Sequence, residues 1–275
     1  MRSQLTKQQV HCFRTAVYSY YRSQGRSLPW RKTTNPYRIL VSEVMLQQTQ
    51  VDRVIPKYKE FLKAFPTVHV LAQVPLKKVL KVWSGLGYNR RAKSLKQAAE
   101  IIVNEYHGKI PSSLDQLVAL PGIGHNTASA ILVFACDKPV VFIETNIRSV
   151  FIHHFFSKQQ TVNDALILRL VEQSIDMEHP RLWYSALMDY GVYIKKQHSN
   201  PSRRSTHHLT QSRFTGSNRQ LRGLVIKLLL KEPQLTAAQL VRHSERNIFF
   251  VRGALHQLQQ EGLIRKAGMR YIIAN

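Results

Sequence analysis

Leu120-Pro121-Gly122-Ile123-Gly124-His125-Asn126-Thr127 is the stretch that decides the fold. It is a short apolar turn with two glycines, between an amphipathic segment at 114–120 and a helical stretch from His125 to Phe134. Glycine lets a backbone approach a ligand closely, and the N–H groups at a helix start favour a phosphate. The pattern predicts a helix-hairpin-helix over residues 120–127; the alternative is an ordinary helix–helix turn capped by glycine.

The balance of charge favours the phosphate-binding alternative. The chain has 275 residues, with 40 Lys+Arg against 16 Asp+Glu and a formal net charge of +24. So basic a chain fits a polyanionic partner, with nucleic acid as the leading candidate. The length and the 44% hydrophobic content predict about two domains with real cores, which excludes a disordered basic tail.

Cysteine usage bounds the compartment and the metal chemistry. Cys12 and Cys136 are the 2 cysteines of the chain, far apart and without metal-ligand spacing. Neither a disulfide framework nor a four-cysteine site is expected, and a reducing, cytoplasmic location fits. The sequence has no apolar segment of signal-peptide length at its start and no run of about 18 apolar residues. We therefore expect a soluble protein with no membrane contact.

The first two thirds of the chain are predicted to be helical. Amphipathic helices separated by Pro and Gly signals are expected over residues 51–65, 76–83, 92–106, 114–120 and 163–174. Ser112 and Asp115 form a capping pattern that predicts the start of the helix before the hairpin. No convincing alternation of period two is present in this region, so we expect few strands there.

A polar stretch separates this region from a second one. The stretch from Lys195 to Arg222 holds 7 basic residues and no acid, which predicts a linker or a strap that follows DNA. Helices are expected next over residues 220–230, 236–243 and 247–261, the second with a Thr236/Gln239 capping box. Two short strands at 263–266 and 270–273, joined through Gly268, complete a winged-helix pattern. We predict an all-α fold, with a core at 1–194, a basic linker at 195–218 and a winged-helix-like domain at 219–275.

Two acids are candidates for chemistry. Glu43 lies at the edge of the apolar cluster Val44, Met45 and Leu46, where partial desolvation would raise its pKa and suit it to general acid–base work. The alternative is a carboxylate that caps its helix or pairs with an arginine. Glu144 follows the apolar run 140–143 shortly after the hairpin, so it could lie beside the sugar of a bound DNA.

The motifs, taken in order, closely resemble those of a known superfamily. Leu28-Pro29-Trp30-Arg31, residues 42–51, Trp83-Ser84-Gly85-Leu86-Gly87-Tyr88, residues 120–127 and Glu144-Thr145-Asn146 are similar to segments of the helix-hairpin-helix (HhH-GPD) DNA glycosylases, and within them of the MutY-like adenine DNA glycosylases. The resemblance covers about residues 8–191. It implies a helical enzyme of two lobes that holds an extruded base in the cleft between them.

The resemblance also implies roles for individual residues. Glu43 matches the acid that protonates the leaving adenine and helps to activate water, while Glu144 and Asn146 match the group that faces the positively charged sugar. The implied base pocket is lined by Trp30, Arg31, Leu46 and Asn126. The implied DNA contacts are Gln48 and Tyr88, inserted into the base stack, Thr49 and Leu86, at the opposite base, and Gly122, Gly124, His125 and Thr127 of the hairpin.

Several positions depart from the family's pattern. Bifunctional relatives carry a nucleophilic lysine where this chain has Asn126, so we expect a monofunctional hydrolase without lyase activity. Glu144 replaces an aspartate, and Ser185 replaces a longer side chain that helps to read adenine. The four cysteines that hold a four-iron four-sulfur cluster in the family fall on Lys195, Ser202, Ser205 and Gln211, so we expect no cluster. The histidines of the strap, His198, His207 and His208, are expected to be solvated or near phosphate.

Three functions follow from the sequence. The first is a monofunctional base-excision glycosylase that removes adenine mispaired with 8-oxoguanine or guanine. The second is a mismatch-binding DNA protein whose catalysis is impaired by the changes at Asn126 and Glu144 and by the missing cluster. The third is a glycosylase for mispaired thymine or uracil. In each case the expected partner is double-stranded DNA with a mismatch or damaged base, bound by a monomer associated with the nucleoid.

Overall fold

A computed structural model of the chain describes residues 4–208, 210–211 and 213–274. Helices dominate it, with these bounds: α1 Lys7–Gln24, α2 Pro36–Leu46, α3 Val51–Ala64, α4 Val68–Gln73, α5 Leu76–Trp83, α6 Asn89–Glu105, α7 Leu114–Val118, α8 His125–Cys136, α9 Thr145–Phe155, α10 Asp164–Ser174, α11 Pro180–Gln197, α12 Asn218–Lys231, α13 Ala237–Ser244 and α14 Ile248–Gln260. Two 3-10 helices cover Pro29–Lys32 and Pro201–Arg204. The strands are β1 Leu235–Thr236, β2 Ile264–Ala267 and β3 Arg270–Ile273.

The chain divides into two compact units. Unit 1 comprises Met1–Ile39, Ser112–Val118 and Gly124–Thr210, and unit 2 comprises Leu40–Pro111, Ala119–Ile123 and Gln211–Asn275. The boundary between the units falls inside α2 and again inside the glycine hairpin, at Ile123 and Gly124. The C-terminal residues therefore group with α3 to α6, whereas we predicted a separate domain at 219–275; those predicted boundaries stay a prediction.

Unit 1 is built around the packing of α9 on α11. Phe13 of α1 makes edge-to-face contacts with Phe151 of α9 and Trp183 of α11, at ring-centroid distances of 5.2 and 5.7 Å. Trp183 and Phe151 are fully buried, and such aromatic pairs stabilise a core beyond the area that they bury. This core fixes the N-terminus of α9, where Glu144 lies.

Unit 2 has a helical core and a small sheet. Phe61 of α3 packs edge-to-face on Trp83 of α5 at 5.9 Å, and both side chains are fully buried. The sheet has the order β1-β3-β2 with antiparallel pairing, in which Ala267 is opposite Arg270. Gly268 has a φ of 60° in the two-residue turn between β2 and β3, as a tight hairpin requires.

The helical prediction is confirmed, with local corrections. The segment 76–83 is α5, and the predicted Thr236/Gln239 capping box is present at the start of α13. The predicted cap at Ser112 is wrong, because the backbone N–H of Gln116 donates to Ser113 Oγ at 3.3 Å, while the Ser112 carbonyl accepts from Lys138. The two-residue strand β1 was not predicted, since so short a strand depends on its pairing with β3.

The basic strap is more structured than its composition indicates. α11 extends to Gln197, and Ser202 and Ser205 are buried, although the stretch was predicted to be a linker or a strap that follows DNA. The parallel bridge between Val162 and Ser205 ties the strap to unit 1. Among the described residues, no helix combines the length and the apolar character needed to cross a membrane.

Candidate functional site

The glycine hairpin leaves the start of α8 accessible. The N–H of Ile123 donates to the carbonyl of Leu120 at 3.1 Å and closes the turn, and Gly122 has a φ of 76°. A Cβ at Gly122 would lie 2.6 Å from the Cβ of Ser94, so this position needs glycine for both backbone and space. Gly124 begins α8 without a side-chain cap among the described residues, and Gly124 and His125 are exposed. This geometry suits an oxyanion at the positive end of the helix.

Glu144 is the N-cap of α9. Its Oε1 accepts hydrogen bonds from the backbone N–H groups of Asn146 and Ile147, at 2.8 and 3.1 Å. Its Oε2 accepts from the Asn146 side-chain amide at 3.2 Å. The predicted pair of Glu144 and Asn146 is therefore brought together, with the carboxylate fixed by three donors. The Oδ1 of Asn146 is buried, and no donor within the described ranges reaches it.

The environment of Glu144 opposes its ionisation. Burial raises the pKa of Glu144, and the N–H of Ile147, the charge of Lys195 and the donors of Asn146 offset this only in part. Burial likewise lowers the pKa of the Lys195 ammonium, which the charge of Glu144 opposes. Lys195 lies one helical turn after Gly191, where α11 packs against Asn146: a Cβ at Gly191 would lie 2.4 Å from the Asn146 carbonyl oxygen. The side chain at 195 thus supplies positive charge beside the glutamate.

Glu43 lies on α2, in unit 2. It is half-buried, between Ser42 and Val44, which are buried. A carboxyl group at such an edge is partly desolvated and yet accessible to a reactant, as an acid catalyst requires. Leu46, at the last position of the same helix, is half-buried.

Two loops of unit 2 carry residues that were predicted to contact DNA. Gln48, after α2, is exposed with a φ of 54°, and Tyr88, after α5, is half-buried with a φ of 49°. Left-handed backbone is uncommon for such residues and marks functional loops more often than others. Gln211 joins the two loops, because its Nε2 donates to Gln48 Oε1 at 3.2 Å and to Tyr88 Oη. The link was not predicted, since it connects residues 163 and 123 positions apart.

Arg91 holds the same loops from the side of α6. It donates to the carbonyl oxygens of Val44, Met45 and Gln47, at 2.9, 2.8 and 2.6 Å, and to Thr49 Oγ1 at 2.9 Å. Burial lowers the pKa of its guanidinium to about 10, so the group is charged at neutral pH. Thr49, predicted to contact the opposite base, is therefore held by Arg91. Leu86, with the same predicted role, is only 2% exposed and belongs to the core.

Cations and aromatic rings alternate through this part of unit 2. The Arg91 guanidinium lies 5.3 Å from the ring centroids of both Trp83 and Tyr88. Arg219 lies 5.4 Å from the centroid of the Tyr88 ring and 5.6 Å from that of the Phe214 ring, and it also donates to Tyr88 Oη. We call these five residues the cation–aromatic stack. It ties α12 to the loop after α5.

Arg31, predicted to line a base pocket, is engaged in an internal ion pair. Its guanidinium donates to both carboxylate oxygens of Asp189, at 2.7 and 2.8 Å, and Arg26 binds the same carboxylate at 2.6 Å. Burial raises the pKa of Asp189, but Arg31 and Arg26 outweigh it, so the net shift is downward. The role of Asp189 was missed because its partners lie about 160 positions away. Trp30 is buried next to Arg31 in the chain, and Ser185 is buried on α11.

A shallow pocket opens beside the start of α8. It has a volume of about 310 Å³, and its lining includes His125, Asn126, Phe142, Arg169 and Glu172, all of unit 1. Asn126 is exposed, and Thr127 is half-buried. The amide at 126 is thus accessible, but it is not a nucleophile for a sugar carbon.

The four predicted cluster positions do not fit an iron–sulfur cluster. Ser202 Oγ donates to Asn200 at 2.8 Å, and Ser205 Oγ donates to Asp164 at 2.7 Å, so neither hydroxyl is available. Lys195 and Gln211 carry nitrogen donors in place of thiolates. Among the described residues, no group of three His, Cys, Asp or Glu could hold a metal ion. His198 and His207 are exposed and His208 is half-buried; His198 stacks on His153 at 4.6 Å, and His207 lies 3.7 Å from Asp164.

The comparisons with known proteins identify the family of the segment that carries most of these residues. Residues 41–173 match the model of the family described as HhH-GPD superfamily base excision DNA repair protein. That match covers the acid on α2, both loops, the hairpin and Glu144. The chain thus contains a domain of the HhH-GPD superfamily, and it is a homologue of adenine DNA glycosylases.

The similar proteins include adenine DNA glycosylases and a thymine/uracil-DNA glycosylase. The adenine DNA glycosylase of Buchnera aphidicola subsp. Baizongia pistaciae is 37% identical over 191 residues, 69% of this chain and 54% of the relative. A thymine/uracil-DNA glycosylase of Pyrobaculum aerophilum is 36% identical over 140 residues, 50% of this chain and 61% of the relative. The structure of a thermostable thymine-DNA glycosylase matches with a TM-score of 0.60 and 25% identity, covering 66% of this chain and 85% of that one. The chain spans about half the length of the adenine DNA glycosylases that it matches.

The structure thus divides the predicted site residues between the two units. Unit 1 holds Glu144, Asn146, Asn126, Trp30 and Arg31, together with Gly124, His125 and Thr127. Unit 2 holds Glu43, Leu46, Gln48, Thr49, Leu86, Tyr88 and Gly122. Within the units, Glu144 is joined to Asn146, and Gln48 is joined to Tyr88 through Gln211.

Proposed function

We propose that the protein is a base-excision-repair DNA glycosylase that hydrolyses the N-glycosidic bond of a flipped base. The observation that carries the proposal is the fixed pair of Glu144 and Asn146 at the start of α9, inside the segment that matches the HhH-GPD family. A carboxylate held by three donors can face a developing positive charge without reorganising. The relatives named adenine DNA glycosylase support the same activity.

The proposed reaction uses the two acids in different roles. Protonated Glu43 gives its proton to the leaving base as the bond between the base nitrogen and sugar C1′ breaks, and the electron pair leaves with the base. The sugar becomes a cation, whose charge favours the ionised form of Glu144 in spite of its burial, and the carboxylate stabilises that cation. Water then adds to C1′ and loses its proton to Glu43, so the product is an abasic site. With Asn126 where a nucleophilic amine would stand, no Schiff base forms and no strand is cut.

The proposed partner is duplex DNA, bound by a monomer. The net charge of +24 supplies the attraction to phosphates, and the accessible start of α8 after the hairpin offers one specific phosphate site. Gln48 is exposed on a loop with left-handed backbone, which suits a side chain that enters a base stack, whereas Tyr88 can enter one only after it leaves Arg219 and Gln211. The proposed location is the nucleoid.

Adenine opposite 8-oxoguanine or guanine is the proposed target. The 37% identical relative acts on adenine by its name, whereas the thymine/uracil-DNA glycosylase relative supports mispaired thymine or uracil as the second candidate. Single-turnover assays on A opposite 8-oxoguanine, A opposite G, T opposite G and U opposite G separate them. We expect alkali-labile product from the adenine duplexes. Cleavage confined to the T or U duplexes supports the second candidate, and binding without any product identifies an impaired, mismatch-binding protein.

Glu144→Asp tests whether the site is built for the longer side chain. Glutamate accepts from two backbone N–H groups of its own helix and from the Asn146 amide. Aspartate is a common N-cap and can keep the backbone bonds, but with one methylene fewer it places the carboxylate differently relative to the sugar. We expect slower base release in the aspartate variant, because a displacement of about half an ångström is enough to disturb a catalytic group. Faster release would instead mark glutamate as a detuned replacement.

A further inference from the structure

Two phenyl rings lie unprotected on the surface of the C-terminal part of unit 2. Phe249 and Phe250, in the first turn of α14, are 77% and 66% exposed. The core face of the same helix is formed by other residues, Val251, Ala254, Leu255 and Leu258, which are all buried. Neither phenylalanine is therefore needed to close the core, although burying such a side chain is worth about 1.5–3 kcal/mol. Adjacent exposed rings of this kind mark an interaction surface.

The flanking charge indicates the chemistry of the partner. Arg252 follows the two rings on α14 and is exposed, and Arg246 precedes them. At the turn between β2 and β3, Met269 is 84% exposed, with exposed Lys266 and Arg270 close to it in the sequence. In both places an exposed apolar side chain is accompanied by cations. Acidic residues are few in this part of the chain, and Glu261 is already paired with Arg222.

This combination fits a nucleic acid better than a protein. The centre of a protein–protein interface is depleted in charge, whereas here the apolar groups stand next to exposed cations. Duplex DNA offers phosphates to cations, and apolar stacking and wedge sites to rings that enter a groove. Phosphate binding alone would require only the cations, and an apolar contact alone would require only the rings. The exposed surface has both.

We propose that Phe249, Phe250 and Met269, with Arg252, Lys266 and Arg270, form a second DNA-binding surface, separate from the glycine hairpin. The cations bind backbone phosphates, and the phenyl rings insert against or between base pairs. The proposal rests on the proposed function, because that function places the protein on duplex DNA. It assigns this surface to the duplex outside the target base, where binding depends on salt and is largely independent of sequence.

The test measures binding of the full-length chain to an undamaged duplex of about 30 base pairs, over a range of salt concentrations. We expect F249A/F250A to weaken binding about 10-fold or more, in line with the ~1–3 kcal/mol that a stacked base contributes, while the salt dependence is unchanged. We expect Arg252→Gln with Lys266→Gln to flatten the slope of log K against log salt by about 2, since each lost phosphate contact removes about 0.9.

The matched control is Met177→Ala, which removes a 63% exposed side chain from unit 1 and is expected to change affinity less than twofold. Far-UV circular dichroism and the Tm of each variant exclude unfolding. A duplex containing 2-aminopurine reports insertion of a ring as an increase in fluorescence that F249A/F250A loses.

Three outcomes overturn the proposal. The first is wild-type affinity and fluorescence in F249A/F250A. The second is that F249A/F250A loses binding to vesicles of anionic lipid but keeps its affinity for DNA, which would assign the rings to a membrane surface. The third is that F249A/F250A loses binding to an acidic protein but keeps its affinity for DNA. Because the duplex is undamaged, none of these outcomes depends on base excision. A wild-type chain that binds DNA in this way but releases no base would contradict the proposed function and leave the second DNA-binding surface supported.

Discussion

Gly191→Ala is expected to damage the site through a single added methyl group. The Cβ of an alanine at 191 would lie 2.4 Å from the carbonyl oxygen of Asn146 and 2.7 Å from both its carbonyl carbon and its Cβ. An ordinary non-bonded separation is about 3.5 Å, so α9 and α11 would have to move apart by roughly 1 Å. The contacting atoms are mainly backbone and cannot rotate away.

The added methyl group destabilises the fold by overpacking and stabilises the helix through its higher propensity, and the two free energies can be compared. Overpacking costs about 1–3 kcal/mol, while replacing a helical glycine with alanine stabilises by about 0.5–1 kcal/mol. The difference is a net loss of about 0–2.5 kcal/mol in the free energy of unfolding, and the close contact with backbone atoms places it in the upper half of that range. A shift of about 1 Å at Asn146 exceeds the half-ångström tolerance of a catalytic group, so base release should fall about 100-fold.

The matched control is Gly223→Ala on α12, where an added Cβ would meet no atom within 4 Å. That variant should gain about 0.5–1 kcal/mol from helix propensity and retain full activity. Urea denaturation followed by circular dichroism gives the stabilities, and single-turnover release from an A:8-oxoguanine duplex gives the rates. If Gly191→Ala unfolds and reacts like the wild type, the argument that α11 positions Asn146 is wrong.

Three further predictions concern charged groups. Glu43→Gln should reduce base release by at least ~100-fold while DNA affinity stays within a few fold, because it removes a proton donor and no phosphate contact; normal release would exclude the role. Burial raises the pKa of Glu144, so its ionisation destabilises the fold as pH rises from about 4.5 through the raised value. Glu144→Gln should therefore gain stability relative to wild type as pH rises across that range, and a gap that is constant with pH would contradict this. Arg204→Ala should cost about 1.5–3 kcal/mol by urea denaturation, because its guanidinium donates to four carbonyl oxygens near the end of α9, whereas its exposed neighbour Arg203→Ala should cost almost nothing.

Local patterns predicted the helices and the family segments well. The apolar periodicity of 76–83 correctly predicted α5, and the Thr236/Gln239 capping box correctly predicted the start of α13. Both signals depend only on residues within one or two helical turns. The hairpin is similar, since the glycines that permit its turn are adjacent in the chain. Such features are determined by residues that are close together in the sequence.

Contacts between distant residues could not be predicted in this way. The role of Arg31 in a base pocket stays a prediction, but its ion pair with Asp189, 158 positions away, was not predicted. Ser205 was predicted to lie in a linker or strap, and the structure shows it buried, with its hydroxyl donating to Asp164. Polar composition predicts exposure only when no partner satisfies the polar groups, and partners of this kind are set by the tertiary fold.

The cation–aromatic stack couples two parts of the sequence that are far apart along the chain, residues 83–91 and 214–219. The ring of Tyr88 contacts two cations: Arg91, three positions along the chain, and Arg219, 131 positions away. A change that removes the guanidinium at 219 takes one of two cations from the ring of Tyr88 and one of two donors from its hydroxyl, which keeps the hydrogen bond from Gln211. Among near relatives of this chain, we therefore expect positions 88 and 219 to vary together, and a chain shortened before residue 211 to behave as a loop mutant as well as a truncation.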